Sequence, residues 1–469
     1  MSTIQTYNWP TVPFGTYKPT QVSWASIETS RGAYNWSRLD SIVSLAQSKG
    51  TDLMYVFVST PKWASANPGQ ACFEGATGCA APPVNMADWE TFVSVLATRY
   101  KGKIKYYEVW NEPNDLNFWT GTTAQMVDMT RRAYNQIKGI DSTASVLSPA
   151  PTWSKTAAWE WFNSFLAAGG GPYVDVVSFH GYTGTTRAES IFTIVDNVKK
   201  SMTTYGIGTK PMWITEGGWG RDPVVATAQQ PGFLVQRMLL TLSRGVQRMY
   251  WYQWDNPSWG TLYNPSSKVV APAGVAYGQL YSWSVGSAMD ACAQGTDSTW
   301  TCNFTRANGT KARAVWNAVA AKTYATTGFT SYRTIDGKSV KITGTSVSIG
   351  YNPILLENTS TATTPVATPP TSTSTTCSYT GMAQPSVKVC QPTPASTSST
   401  NVHLIALASD KSAIKTMQVY LDGKLIYTKN SVAKIDETFV LYSGLRALKV
   451  QATDSAGKVF SATTTVNVQ

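Results

Sequence analysis

Apolar, β-rich runs alternate with helix-spaced segments along the first 290 residues, and that alternation leaves few folds open. Residues 36–49 place apolar side chains at helical spacing, with Gly50 behind them as a C-cap. Asp52 to Ser59 then reads as a strand, 87–100 as a helix, and Lys103 to Trp110 as the next strand. The scheme continues with helix 122–138 and a strand from Ser145 to Ser148, then helix 157–167 and a strand from Val174 to His180. Helix 187–204 leads to Pro211 through Glu216, helix 229–244 leads to Arg248 through Trp254, and Gly274 to Val285 reads as a closing helix. Near-continuous apolar strands separated by helices specify a parallel sheet covered on both faces. With an earlier strand around Val12 to Thr16 and a short first one at Thr3 to Tyr7, the expected fold is α/β, a (β/α)8 TIM barrel over residues 1–290.

From about Ser298 the period changes to two, as in Ala312 to Asn317 and Ser346 to Gly350, so antiparallel strands are expected up to Leu356. Residues 358–376 are Thr, Ser, Pro and Ala with hardly an apolar side chain to bury, a linker. Beyond it, Met417 to Tyr427 is two alternating runs around Asp422-Gly423, a strong hairpin signal, and Ala447 to Val466 repeats the scheme.

Two strands of the barrel region stop on a carboxylate. Tyr107-Glu108-Val109-Trp110-Asn111-Glu112-Pro113-Asn114 ends an apolar run at Asn-Glu-Pro, where proline has no N–H to continue a ladder. Pro211-Met212-Trp213-Ile214-Thr215-Glu216-Gly217-Gly218 ends another at Glu and two glycines. Two carboxylates at the carboxyl ends of parallel strands are the equipment for hydrolysing a glycosidic bond.

Trp-Asn-Glu-Pro-Asn followed by Trp-Ile-Thr-Glu-Gly resembles clan A of the glycoside hydrolases, retaining TIM-barrel enzymes, and most closely family 39 and family-5-like bacterial members. The resemblance covers roughly residues 7–357. It implies Glu112 as acid/base on the fourth strand and Glu216 as nucleophile on the seventh. It also implies that Asn111 binds a sugar hydroxyl, that His180 meets substrate or supports the acid/base, and that the Tyr182 hydroxyl reaches the nucleophile. Trp254 is expected beneath a sugar ring at the end of the eighth strand, with Trp63 and Trp219 lining further subsites. Residues 291–357 are then a small β-sandwich packed on the barrel. Residues 377–469 resemble a bacterial Ig-like β-sandwich. The clan usually carries an Arg near the end of the second strand. Here Gly15-Thr16-Tyr17-Lys18-Pro19-Thr20 offers only Lys18, a point charge rather than a bidentate fork.

The implied function is a secreted retaining glycosidase acting on a polysaccharide or its oligosaccharides, with a non-catalytic glycan-binding protein on the same barrel as the alternative. No cofactor or metal is implied, since two carboxylates and water suffice. Only His180 and His403 occur, too few for a His-rich zinc centre. The net charge of +11 has no Lys/Arg run behind it, which argues against a nucleic-acid partner. No apolar stretch is long enough to span a membrane, and a monomer is expected. The amino-terminal residues carry neither a basic nor an apolar leader region, so no export signal is read. Six cysteines allow 15 connectivities. Loop closure favours the near neighbours Cys72/Cys79, Cys292/Cys302 and Cys377/Cys390, and three disulfides would place the chain in an oxidising, extracytoplasmic compartment.

Overall fold

The structure, a computed structural model, describes all residues except 2–3, 5–8, 154–156, 261, 359–376, 394–395, 399–400, 442–443 and 469. The expected first strand and the linker lie outside the described residues, apart from Ile4 and Asn358. Two compact units result, Met1–Thr361 and Ala362–Gln469.

In the first unit seven parallel strands follow one another in chain order. They are β1 (Thr16–Tyr17), β2 (Asp52–Val56), β3 (Tyr106–Glu108), β4 (Ser145–Leu147), β5 (Val177–His180), β6 (Met212–Gly217) and β7 (Val246–Trp251). β1 to β4 pair in one sheet and β5 to β7 in another, with a parallel bridge from Leu147 to Val176 joining them. The chain returns through helices Ser37–Ser48, Met86–Arg99, Thr123–Ile140, Ala158–Ala167, Ile191–Thr204, Gln230–Ser243 and Pro272–Ser284. The architecture is the TIM barrel that the alternation predicts, with β1 standing where the second strand was expected.

Period-two alternation sorts each strand. Met54, Val56, Leu147, Val176, Trp213 and Tyr250 form one buried cluster with Tyr106 against it, the barrel interior. The intervening residues, Tyr55, Tyr107, Val146 and Phe179 among them, join the larger core beneath the helices. The Arg248 guanidinium lies 4.7 Å from the Tyr106 ring and 4.4 Å from Trp213, and it donates to Thr16 Oγ1 at 2.8 Å.

The ladders are shorter than the apolar runs. Lys103 to Trp110 yields only the three residues of β3, and Arg248 to Trp254 gives way to β7, which stops at Trp251. Hydrophobicity reports burial, and it persists after the ladder has ended. Val109, Trp110 and Trp254 are all buried, but in the turns that build the barrel top.

Antiparallel strands complete this unit. Their main sheet runs in the order Ser287–Met289, Thr299–Arg306, Lys311–Asn317, Ile354–Glu357, Ser331–Thr334, Ser339–Lys341, and Lys322–Ala325 pairs separately with Ser346–Ile349. Trp300 meets Phe192 of helix Ile191–Thr204 at 5.9 Å, and Gln236 donates to the Tyr351 carbonyl at 2.6 Å, so this sheet packs on the barrel helices.

The second unit is a β-sandwich of a three-stranded and a five-stranded sheet around Leu404, Met417, Val419, Leu448, Val450 and Val466. Its Asp422-Gly423 turn has φ of 49° and 84°, the left-handed pair a two-residue hairpin demands. The three disulfides join the neighbours Cys72–Cys79, Cys292–Cys302 and Cys377–Cys390. Among the described residues no helix is long and apolar enough to cross a membrane.

Phe92 is fully buried on helix Met86–Arg99, its ring 5.4 Å from Trp24 and 6.4 Å from Trp36. Phe92→Ala is expected to cost about 3–5 kcal/mol in urea unfolding of the barrel unit. Phe73→Ala, at a site 48% exposed, serves as the comparison and should cost under about 1 kcal/mol.

Candidate active site

Five strand ends converge at the carboxyl face of the barrel. Within β3, Tyr106 faces the interior, so Glu108 two residues on does too, and it is fully buried. Beyond β3 the chain runs through Asn111, bridged to Ala150, to Glu112. Glu112 has φ 43°, a left-handed conformation that costs a non-glycine residue about 1–3 kcal/mol and clusters at functional sites. Its amide donates to the Ala150 carbonyl at 3.0 Å, and that bond holds the turn.

Glu216 reaches the site through a bulge. In the β5–β6 ladder Phe179 pairs with Ile214, but the next pair is His180 with Glu216, so Thr215 is skipped. Simple alternation would send Glu216 outward with Ile214. The extra residue turns it onto the face of His180 instead. Gly218 follows because a Cβ there would collide with the Tyr252 carbonyl oxygen.

His180 is wholly buried, and its Nδ1 lies 2.7 Å from Glu112 Oε1 and 3.6 Å from Glu216 Oε2. The Tyr182 hydroxyl donates to Glu216 Oε2 at 3.2 Å. Burial first, then the neighbouring Glu216 charge, push the Tyr182 phenol well above its usual range, so it keeps the proton it donates. Arg237, buried on helix Gln230–Ser243, donates to the Thr183 hydroxyl and to the Ala188 carbonyl, pinning the loop that follows Tyr182.

Lys18 stands directly after β1, in the position where the clan's arginine was missing. Its side chain is 2% exposed, and Nζ lies 3.0 Å from Glu108 Oε1 and 3.1 Å from Glu216 Oε1. Burial alone would lower the pKa of this lysine. The charges of Glu108 and Glu216 and their hydrogen bonds outweigh burial and hold it above the ordinary lysine value. Glu216 shows the mirror balance. Burial would raise its carboxyl, yet its neighbours, the Lys18 ammonium and the Tyr182 hydroxyl among them, bring it below the usual carboxylate range.

The expected residues divide in two. Glu112, His180, Tyr182 and Glu216 gather around one point, and Asn111 precedes Glu112 in the chain, its backbone bridged to Ala150. Trp219 and Trp254 are closed off in the core and do not open onto it. Trp254 is 1% exposed and stacked on Tyr263 at 5.4 Å, and it sits beyond the end of β7 rather than closing it. Trp219 is buried edge-on against Trp251 at 4.8 Å. Trp63 is half-buried, donates its Nε1–H to the Glu28 carbonyl at 2.9 Å and carries the Arg31 guanidinium at 5.2 Å. Core packing claimed Trp219 and Trp254. The half-buried rings beside Glu216 are Tyr252 and Trp259, 6.3 and 5.7 Å from Tyr182. Glu108 went unmarked in the sequence, although a charge inside the run Tyr106-Tyr107-Glu108-Val109-Trp110 was the available signal.

Donor atoms of Glu112, His180 and Glu216 lie within 4.8 Å of one another. Such a set can hold a metal ion by geometry, but the Lys18 ammonium, 3.1 Å from Glu216, already pairs with one of its carboxylates and opposes a second cation. The arrangement suits proton transfer and attack by an ionised carboxylate.

The model of the glycosyl hydrolase catalytic core matches residues 32–277, over half of the chain. The chain belongs to that family. A bacterial Ig domain model matches residues 385–436, so the chain carries a C-terminal Ig-like domain. The chain is 30% identical over 132 residues to a β-xylosidase of Caldicellulosiruptor saccharolyticus, covering 26% of this chain and 25% of that one. It is 28% identical over 172 residues to a β-xylosidase of Geobacillus stearothermophilus, covering 34% and 32%. The matches thus span between a quarter and a third of these relatives' lengths. A family 39 glycoside hydrolase of Bacteroides cellulosilyticus WH2 superposes with a TM-score of 0.61 at 16% identity, over 74% of this chain and 75% of that one. A monomeric β-xylosidase of Caulobacter crescentus CB15 gives 0.51 at 16%, over 74% and 90%. At such identities the chain shares their fold.

Lys18→Met leaves the buried Glu108 without its cation and is expected to cost about 3–5 kcal/mol in urea unfolding. Lys18→Met/Glu108→Gln removes both charges together and should cost less than the single change.

Proposed function

We propose that the chain is a retaining β-glycosidase that cleaves a polysaccharide or its oligosaccharides by double displacement. Glu216 is the nucleophile and Glu112 the acid/base. The observation that carries the reading is the approach of Glu112 and Glu216 oxygens to within 4.8 Å. Retention needs carboxyls about 5–5.5 Å apart, whereas inversion needs about 6.5–9.5 Å to admit a water.

In the first step a Glu216 oxygen bonds to the anomeric carbon as the glycosidic C–O bond breaks. Glu112 gives its proton to the departing oxygen. In the second step Glu112 takes a proton from water, whose oxygen attacks the same carbon and releases Glu216. The charge divide supports these roles, since Lys18 and Tyr182 both favour the ionised form of Glu216. Asn111, half-buried next to Glu112, is placed for a sugar hydroxyl, and Tyr252 and Trp259 for the apolar face of a ring. The division into a barrel over 1–290, a small sandwich over 291–357, a linker and an Ig-like module over 377–469 belongs to the same reading. Export to an oxidising compartment is supported by three disulfides and the Ig-like domain. The partial β-xylosidase relatives make β-xylosides the first substrates to try, and a monomer suffices for a site drawn from one chain.

The test is reducing-sugar release from xylan, β-glucan, galactan and acidic polysaccharides, wild type beside Glu216→Gln and Glu112→Gln. Wild-type release is expected, with the β-anomer as first product by NMR. Glu216→Gln should abolish it, and Glu112→Gln should lower it about 10²–10⁴-fold on unactivated leaving groups. Binding without release on any member would turn the reading to a glycan-binding protein.

Activity requires ionised Glu216, so the acid limb of kcat/KM should lie below the ordinary carboxylate range. Tyr182→Phe removes a hydrogen bond to the carboxylate form. Its expected effect is to move that limb to higher pH, measured as a kcat/KM profile on the best substrate.

A further inference from the structure

We propose that Lys18, held in place by Glu108, fixes His180 as its Nδ1–H tautomer and so leaves the acid proton of Glu112 on Oε2. The proposal rests on Glu112 being the acid and adds to it a positioning residue, Lys18, that touches both halves of the machinery.

The argument is a count of protons. An ammonium has three N–H donors and no lone pair. Around Lys18 Nζ stand three acceptors, Glu108 Oε1 at 3.0 Å, Glu216 Oε1 at 3.1 Å and His180 Nε2 at 3.4 Å. A ring nitrogen facing that ammonium can only accept, so the proton of His180 belongs on Nδ1. Nδ1 in turn lies 2.7 Å from Glu112 Oε1, and its N–H donates there. An oxygen already accepting that N–H has no room for a proton on the same line. When Glu112 is protonated, the hydrogen must sit on Oε2. The opposite arrangement, Nε2–H with Glu112 donating to a bare Nδ1, would set two donors face to face at 3.4 Å inside a fully buried pocket.

Glu108 explains why the ammonium stays. As Glu216 bonds to sugar it loses its negative charge, and Lys18 would be left as a buried cation without a counter-ion. Glu108, itself fully buried and 3.0 Å from Lys18 Nζ, forms no bond to sugar and remains beside the ammonium throughout. The pair therefore holds the His180 tautomer constant between the step in which Glu112 gives a proton and the step in which it takes one back.

The chain offers a clean readout because it has only two histidines. His403 belongs to the second unit, where its half-exposed ring bonds Asp436 at 2.7 Å. In a His403→Gln background, ¹⁵N-histidine NMR of the full chain sees His180 alone. The expected spectrum shows a proton coupled to Nδ1 and none to Nε2. Glu108→Gln alone, which keeps the ammonium, should retain it. Lys18→Met/Glu108→Gln should bring in Nε2–H. A proton on Nε2 with Lys18 present, whether alone or beside one on Nδ1, overturns the proposal. So does an unchanged spectrum in a folded double variant. If the double variant does not fold, the spectrum with Lys18 intact still decides. Failure of Glu112→Gln to slow hydrolysis would instead undo the acid assignment and leave the ring result standing, so the two failures are distinguishable.

Discussion

A single buried ammonium ties the barrel top together. Lys18 leaves β1, Glu108 ends β3 and Glu216 stands one residue before the end of β6, and both carboxylates meet the ammonium within about 3 Å in a buried site where Lys18 and Glu108 have almost no contact with solvent. In such a medium an unpaired charge costs several kcal/mol, so each member is stable only when the others are present. Two carboxylates against one ammonium leave a surplus of negative charge. The surplus falls on Glu216, the group that must attack an electron-poor carbon. His180 passes the same constraint on to Glu112. The strands could pack without this cluster, but they could not hold two glutamates of opposite duty so close together.

Much of this was legible in the sequence, for reasons particular to each residue. Glu112 and Glu216 stand where apolar runs stop, and a carboxylate at the carboxyl end of a buried parallel strand has few structural excuses. His180 and Tyr182 follow a third such stop. Lys18 was visible as the lone cation where an arginine was expected, yet its burial and its three partners come from strands 90 and more residues away, beyond the reach of any local pattern. Glu108 hid because it sits within the apolar run that continues to Trp110 and not at the end of that run. The tryptophans misled because an indole fills a core as readily as it stacks on a sugar, and only the neighbouring rings tell which. Helix limits came within a few residues, aided by devices such as the capping box of Thr122 and Gln125. Several strand ends were placed two or three residues too late, because burial outlasts the ladder at the barrel top.

The Ig-like unit was read from its turns. Asp422-Gly423 takes a left-handed geometry few residue pairs tolerate, so two letters settle the local register and the alternation on either side settles the faces. The barrel gave no such short signal. Its order came from repetition over hundreds of residues, which is why its beginning, where repetition has no predecessor, was the part least defined by pattern.

The bulge at Thr215 has a consequence for anyone recombining this barrel with another. Glu216 faces the reaction centre only because one extra residue interrupts the pairing with β5. A fragment exchanged with its seam between Ile214 and Gly217 would splice two ladders that count residues differently. Losing or adding one position there rotates the carboxylate by half a pleat, into the helix-facing core. Chimeras should therefore inherit β5 and β6 from one parent, as a single cassette.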